Sequence, residues 1–161
     1  MTSAEAAAGR GPMRRELPRL PWSAVSRCHP RAATYGVLLV GLWLFGTGEA
    51  ALINARLGTT PWTVLAQGLA EHSSLSVGGA TFAISGVVLL AWIPLGERPG
   101  LGTVSNIVVI SVAIDVMAPV LASPEQLPAR LAEVLLGIGA IGLGSGLFLT
   151  AHLGPGRGMV G

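Results

Sequence analysis

Residues 32–55, AATYGVLLVGLWLFGTGEAALINA, form an apolar run that carries no charge before Glu49. The run is longer than the ~20 residues that a helix needs to cross the ~30 Å hydrocarbon core of a bilayer. Unpaired backbone groups are not tolerated in lipid, so a segment of this kind crosses as a helix. Three further apolar runs follow it, at residues 75–95, 101–122 and 131–153.

The composition of the chain agrees with residence in a membrane. Of its 161 residues, 51% are apolar and 11% are charged, whereas a soluble domain is roughly a quarter charged. A single small globule cannot bury this much apolar surface. We therefore predict an all-α fold, a polytopic transmembrane helix bundle of about four spans within residues 32–161. A disordered basic tail over residues 1–31 is expected to precede it.

The arginines predict the orientation of the bundle. With residues 1–31 inside the cell, eight of the ten basic residues lie on the cytoplasmic side, and only Arg56 and Arg130 lie outside. Positive charge concentrates in cytoplasmic loops, so we predict a multi-pass protein of the bacterial inner membrane with a cytoplasmic N-terminus. The arginines are not interleaved with aromatic residues, which argues against nucleic acid as a partner. The expected partner is the lipid bilayer.

Residues 61–72, PWTVLAQGLAEH, are half apolar but too short to span a bilayer. Pro61 suits the first turn of a helix, and Thr60 suits its N-cap. Two placements remain open for this segment. One is an amphipathic helix on the outer surface, and the other is a re-entrant half-helix that brings its N-terminus to a site within the bilayer.

A weak internal repeat links the first and fourth runs. A shift of 96 residues aligns 41–58 with 137–154 and gives six identities in eighteen positions, four of which are glycines. Because the unit would contain three crossings, the second copy would be inverted in the membrane, as in many secondary transporters. We therefore predict a partial inverted repeat. Either the chain is a truncated form of a longer protein, or a second subunit completes the core.

Residues 57–116 carry motifs that resemble the YczE-like bacterial membrane proteins, relatives of the YitT group. The matching positions are Gly58, Pro61, Trp62, Pro94, Gly96, Arg98, Pro99, Gly100, Gly102 and Thr103. The resemblance implies a membrane architecture that continues into a second copy, so this chain would be C-terminally truncated. Two departures stand out: residues 154–158 are a shortened form of a family phrase, and Thr63 occupies a position that is usually acidic.

Five polar residues within the apolar runs are candidates for a solute or ion site. A charge at mid-helix costs roughly 2.5–3.5 kcal/mol on insertion scales, so it is usually paired or faces a cavity. We predict a cross-helix pair between Arg56 and Asp115, supported by Asn54 and Asn106, with Glu49 nearby. The alternative is a purely structural pair, or a Glu49 that its apolar surroundings keep protonated.

The glycines of the fourth run predict helix packing. Residues 137–142 match the pattern G-x-G-x-x-G, but no strand precedes them, which excludes a dinucleotide site. Small residues spaced four apart let a neighbouring helix approach closely. The predicted packing residues are Ala140, Gly142, Gly144 and Gly146. The first run lacks this spacing, so we expect it to pack less tightly than the fourth.

The remaining polar residues predict no chemistry. Thr103, Ser105 and Asn106 open the third run and are expected to cap its helix. No nucleophile has a base and an orienting group in a recognisable arrangement, and Cys28 is the sole cysteine. We therefore expect no enzyme activity, no cofactor and no metal site.

The pattern as a whole favours a component of a small-solute transporter or exporter. This hypothesis depends on the repeat and on the charges within the apolar runs. The alternatives are a non-transporting membrane scaffold or accessory protein, or an inactive truncated fragment. A homo-oligomer is compatible with each of them.

Overall fold

A computed structural model describes residues 32–95 and 99–151, and within these ranges the chain forms helices and no strand. The five helices are α1 (Ala32–Ala55), α2 (Pro61–Glu71), α3 (Val77–Trp92), α4 (Leu101–Met117) and α5 (Leu127–Thr150). The all-α prediction is confirmed. The predicted tail, Gly96 and Arg98 of the family motif, and the phrase at 154–158 lie outside the described residues.

Helix α1 occupies the centre of the bundle. It packs against α5 on one side and α4 on the other, while α3 packs against α4 and α2 against α3. Half of the most apolar part of α1 is buried, compared with 11% of the corresponding part of α5. The expectation that the first run packs less tightly than the fourth is therefore wrong, because α1 has neighbours on two sides and α5 lies at the edge.

Four glycines set the contact between α1 and α5. A Cβ added to Gly41 would approach the carbonyl oxygen of Gly144 to 2.9 Å, and one added to Gly48 would approach that of Gly137 to 2.6 Å. In both helices the contacting glycines are seven residues apart, about two helical turns. Among the described glycines of α1 and α5, these four are the ones at which an added Cβ would lie within 3.0 Å of the other helix's backbone.

The predicted packing residues of α5 are therefore only partly right. Gly144 contacts α1, but an added Cβ at Gly142 or Gly146 would meet nothing within 4 Å, and Ala140 is half-buried. Gly142 and Gly146 are two residues away from Gly144 along the helix, or about 200° of rotation. They consequently lie on the side of α5 that faces away from α1.

Helix α1 has the bounds of the first predicted run, whereas α3, α4 and α5 differ from the other three runs at one or both ends. Ser76 caps α3 by accepting a hydrogen bond from the Gly79 amide at 3.0 Å, so the helix starts at Val77. Pro119 has no N–H to continue α4, which ends at Met117. By length and composition α1 and α5 can cross a membrane, whereas α3 and α4 are shorter apolar helices.

Caps were predicted correctly for α2 and wrongly for α4. Thr60 is the N-cap of α2, accepts a hydrogen bond from the Thr63 amide at 3.4 Å, and precedes Pro61. The N-cap of α4 is instead Gly100, with no side-chain hydrogen bond. Ser105 pairs with the hydroxyl of Tyr35 at 2.9 Å. Thr103 is the third residue of α4, and Ser105 and Asn106 lie further along it, so none of the three is at the N-cap position.

Candidate functional site

A cavity of about 450 Å³ lies between α1, α2, α3 and α4. Its polar lining residues are Glu49, Thr60, Thr63, Thr81, Ser85 and Asn106. Its apolar lining residues are Phe45, Trp62, Ile107, Ile110 and Ile114. Helix α5 contributes none of the lining residues in the described part of the chain, so the cavity is built from the first four helices.

Glu49 carries the only charge on the described wall of this cavity. The residue is 2% exposed, and its Oε2 atom accepts hydrogen bonds from three threonine hydroxyls. The donors are Thr63 at 2.6 Å, Thr60 at 3.2 Å and Thr59 at 3.5 Å. All three reach the same oxygen, which leaves Oε1 without a protein donor among the residues described.

The turn between α1 and α2 places these hydroxyls. Arg56 has a φ of 51° and Gly58 a φ of 135°, and these left-handed conformations reverse the chain directly after α1. Glu49 precedes the last residue of α1 by six residues, or about 9 Å of helix. The N-terminus of α2 therefore lies beside the last turns of α1, at the level of Glu49. There the free amides of α2 add partial positive charge near the carboxylate.

No basic side chain compensates Glu49 within the described ranges. Arg130 donates from Nε to the carbonyl of Ala55 and from Nη2 to that of Arg56, both at 2.6 Å. A guanidinium in this position satisfies the free carbonyls at the end of α1 and complements the helix dipole. The side chain of Arg56 is exposed. From the sequence, Arg130 indicates only the orientation of the bundle, and this contact was not predicted.

Asp115 caps α3 and does not pair with Arg56. Its Oδ2 accepts from the Ser76 hydroxyl at 2.6 Å, and its Oδ1 accepts from the Gly78 amide at 2.8 Å. A Cβ at Gly78 would collide with Asp115 and with the Ser111 carbonyl, so the absence of a side chain there lets α3 and α4 meet. No Arg56–Asp115 ion pair is formed between the described side chains, because the carboxylate is already occupied at the start of α3.

Asn54 also ties helix ends together. Its Nδ2 donates to the carbonyl of Ala118 at 2.7 Å and to that of Leu121 at 3.2 Å, just beyond α4. Of the five predicted site residues, only Glu49 and Asn106 therefore share the cavity. Asn54 and Asp115 hold the end of α4 against α1 and α3, and Arg56 lies in the turn.

The hydroxyl residues of the site were not predicted from the sequence. There, Thr63 stands out only as a departure from the resembled family, and Thr60 only as a helix cap. Thr81 and Ser85 are spaced four apart on α3, which is a detectable signal for one polar face on an otherwise apolar helix. Described side chains form no group of three or more His, Cys, Asp or Glu that could hold a metal ion.

The family of unknown function DUF6198 matches residues 32–158. An uncharacterized protein of Haemophilus influenzae is 41% identical over 142 residues, which are 88% of this chain and 65% of that protein. The uncharacterized membrane protein YczE of Bacillus subtilis is 30% identical over 119 residues, which are 72% of this chain and 55% of that protein.

The chain thus covers less than two thirds of the length of both relatives. No solved structure matches it. The relation to a membrane protein and the apolar helices together support a place in a lipid bilayer.

Proposed function

The chain belongs to the DUF6198 family of unknown function, and its similarity to the membrane protein YczE agrees with the predicted resemblance. We propose that this membrane protein is a component of a small-solute transporter or exporter. Its solute occupies the cavity between α1, α2, α3 and α4. The role is one of binding and passage across the membrane and not of catalysis.

The observation that carries the proposal is the environment of Glu49. A buried carboxylate is costly unless a positive charge or several hydrogen bonds compensate it. Glu49 has hydroxyl donors on one oxygen only, and it lines a cavity large enough for a small organic molecule. Arg130 and Asp115 instead serve helix ends. An acid that has hydroxyl donors but no basic partner, beside a cavity between apolar helices, is typical of a solute or ion pathway.

We propose that α2 is a re-entrant helix and not a surface helix. Its first turn reaches a carboxylate about 9 Å below the end of α1, which supports a position inside the outer boundary of the bilayer. The arginine distribution supports an inner-membrane protein with its N-terminus in the cytoplasm. In that orientation the cavity is closer to the outer side of the membrane.

We also propose that α1 and α5 are equivalent helices of an inverted repeat. The alignment that relates residues 41–58 to 137–154 pairs Gly41 with Gly137 and Gly48 with Gly144. The repeat alignment therefore maps the Gly41–Gly144 contact onto the Gly137–Gly48 contact, and both contacts are present. Two antiparallel helices related by a two-fold axis would have this property, which supports the repeat.

The proposal is tested with intact cells, because the solute is not identified. A bacterial host expresses the full chain, the Glu49→Gln variant or an empty vector, with equal membrane amounts of the two proteins. Mass spectrometry then compares small-molecule contents of cells and medium. We expect at least one solute whose ratio between medium and cells changes with the full chain and returns to the vector level with Glu49→Gln.

Glu71→Gln is the matched control. Glu71 is an exposed residue at the end of α2 and does not line the cavity, so this variant should behave as the unaltered chain does. A solute profile that is the same with the chain and with the vector would contradict transport. An effect of the chain that Glu49→Gln retains would contradict the assignment of the cavity.

A further inference from the structure

We propose that the cavity binds a monovalent organic cation with an apolar body, of the substituted-ammonium class. This inference rests on the proposed function and names the chemistry of its solute. It follows from the charge, the lining and the size of the cavity, which are considered in turn.

The charge of the cavity favours a cation. Glu49 is the single ionisable side chain on its described wall, and no described arginine contacts it. The three threonine hydroxyls donate to Oε2 and carry no charge. Oε1 has no donor among the described residues, and a ligand of positive charge would supply the positive partner that no described side chain supplies. An anion would meet the carboxylate in a medium where like charges repel strongly.

The apolar lining favours an organic cation over a metal ion. Phe45 and Trp62 border the cavity together with three isoleucines of α4, at positions 107, 110 and 114. Aromatic faces attract ammonium groups, and apolar side chains accept their carbon substituents. Hard metal ions instead need several oxygen ligands in close array. Apart from Glu49, the polar lining groups of this cavity are neutral hydroxyls and one amide, spread over α2, α3 and α4 and the residue before α2.

The size of the cavity agrees with such a ligand. A volume of about 450 Å³ lies within the range of roughly 300–1,000 Å³ that is usual for sites of small organic molecules. Asn106, Thr81 and Ser85 add neutral polar groups from α3 and α4. These groups can accept hydrogen bonds from an ammonium N–H without opposing its charge.

The test measures equilibrium binding of radiolabelled benzyltrimethylammonium to the purified full chain in phosphatidylcholine nanodiscs. This probe is a permanent cation with an aromatic body, and the zwitterionic lipid limits its adsorption to the membrane. Unlabelled competitors are benzyltrimethylammonium itself, neutral benzyl alcohol and anionic benzenesulfonate. Competition by sodium ions is measured by replacing potassium chloride in the buffer with sodium chloride. We expect saturable binding that only the unlabelled cation displaces efficiently.

Variants then assign the binding to Glu49. Glu49→Gln should weaken it about tenfold or more, as expected for losing an interaction with a charged group. Phe45→Leu should weaken it about two- to fivefold through loss of the ring. Glu71→Gln should leave it unchanged. Circular dichroism checks that each variant is folded, and Phe45→Leu together with the competitors keeps the test decisive if Glu49→Gln does not fold.

The inference is overturned by any of three results: no saturable binding below about 10 mM probe, equal competition by benzyl alcohol or by sodium ions, or full binding by folded Glu49→Gln. These results leave transport of another solute class open. Conversely, cation binding without any solute change in cells would contradict the proposed function and leave this assignment in place.

Discussion

Gly48 faces the carbonyl oxygen of Gly137 so closely that a Cβ on Gly48 would lie 2.6 Å from it. Seven residues away on the same two helices, Gly41 and Gly144 form a second contact of the same kind. The two contacts fix both the distance and the register between α1 and α5. The effect of this glycine spacing on stability can be measured by substituting single glycines with alanine.

Gly48→Ala should destabilise the protein, whereas Gly142→Ala should not. The first substitution forces α5 away from α1 at a contact with backbone atoms, and such overpacking costs about 1–3 kcal/mol. The second adds a methyl group to a site with open space, where alanine is the better helix former. Thermal unfolding in detergent micelles, followed by circular dichroism, compares the pair. Equal loss of stability in both variants would mean that the contact is not formed as described.

Asn54→Asp should be more harmful than Asn54→Ala. The alanine variant loses two hydrogen bonds to the carbonyls of Ala118 and Leu121, which we expect to lower stability by about 1–2 kcal/mol. The aspartate variant keeps the shape but presents an acceptor to two carbonyl oxygens. The free energy of unfolding in mixed micelles measures both. A stability of Asn54→Asp equal to that of the unaltered chain would contradict the assigned donor role.

Asp115→Ala should reduce stability without reducing ligand binding. Its carboxylate accepts hydrogen bonds at the start of α3 and does not line the cavity, so the expected loss of about 1–2 kcal/mol is that of a helix cap. A double-mutant cycle with Ser76→Ala should reveal coupling, since the two side chains are in contact. Additive effects of the two substitutions would argue against the contact, and loss of binding by the folded variant would return Asp115 to the ligand site.

Arg130→Lys should not preserve the stability that Arg130 provides. Two different nitrogens of the guanidinium reach two successive carbonyls, a geometry that a single ammonium group does not reproduce. We expect Arg130→Lys and Arg130→Met to lower the free energy of unfolding by about 1–3 kcal/mol. Denaturation in sodium dodecyl sulfate measures the change. Full stability of the lysine variant would show that charge alone is sufficient at the end of α1.

Arg56→Gly should stabilise the chain slightly. Arg56 has a φ of 51° in the turn after α1, and glycine adopts this left-handed conformation at no steric cost. Its backbone carbonyl, which accepts from Arg130, is retained in the variant. The expected gain is up to about 1 kcal/mol in the same unfolding assay. A marked loss of stability would show that the Arg56 side chain makes a contribution beyond its backbone conformation.

Sequence alone was sufficient for the helical class, the approximate position of each helix and the cap of α2. These features depend on local chemistry: long apolar runs, Pro61 after Thr60, and prolines that stop a helix. Glu49 and Asn106, which line the cavity, could also be selected as candidates, because a polar group in an apolar run is conspicuous whatever surrounds it. The family resemblance was carried by motif positions that are adjacent or nearly adjacent in the chain.

Only the tertiary structure decided which polar groups meet. Arg56 and Asp115 have opposite charges, so pairing them was reasonable, yet Ser76 and Gly78 occupy the carboxylate. The threonine hydroxyls reach Glu49 because the backbone reverses direction at Arg56 and Gly58. A hydropathy pattern does not predict such a reversal. Partner choice depends on how helices rotate about their axes, and that rotation is set by close backbone contacts such as Gly48 with Gly137. The apolar sequence therefore determined that helices form, and the packing of glycine against backbone determined where their few polar groups lie.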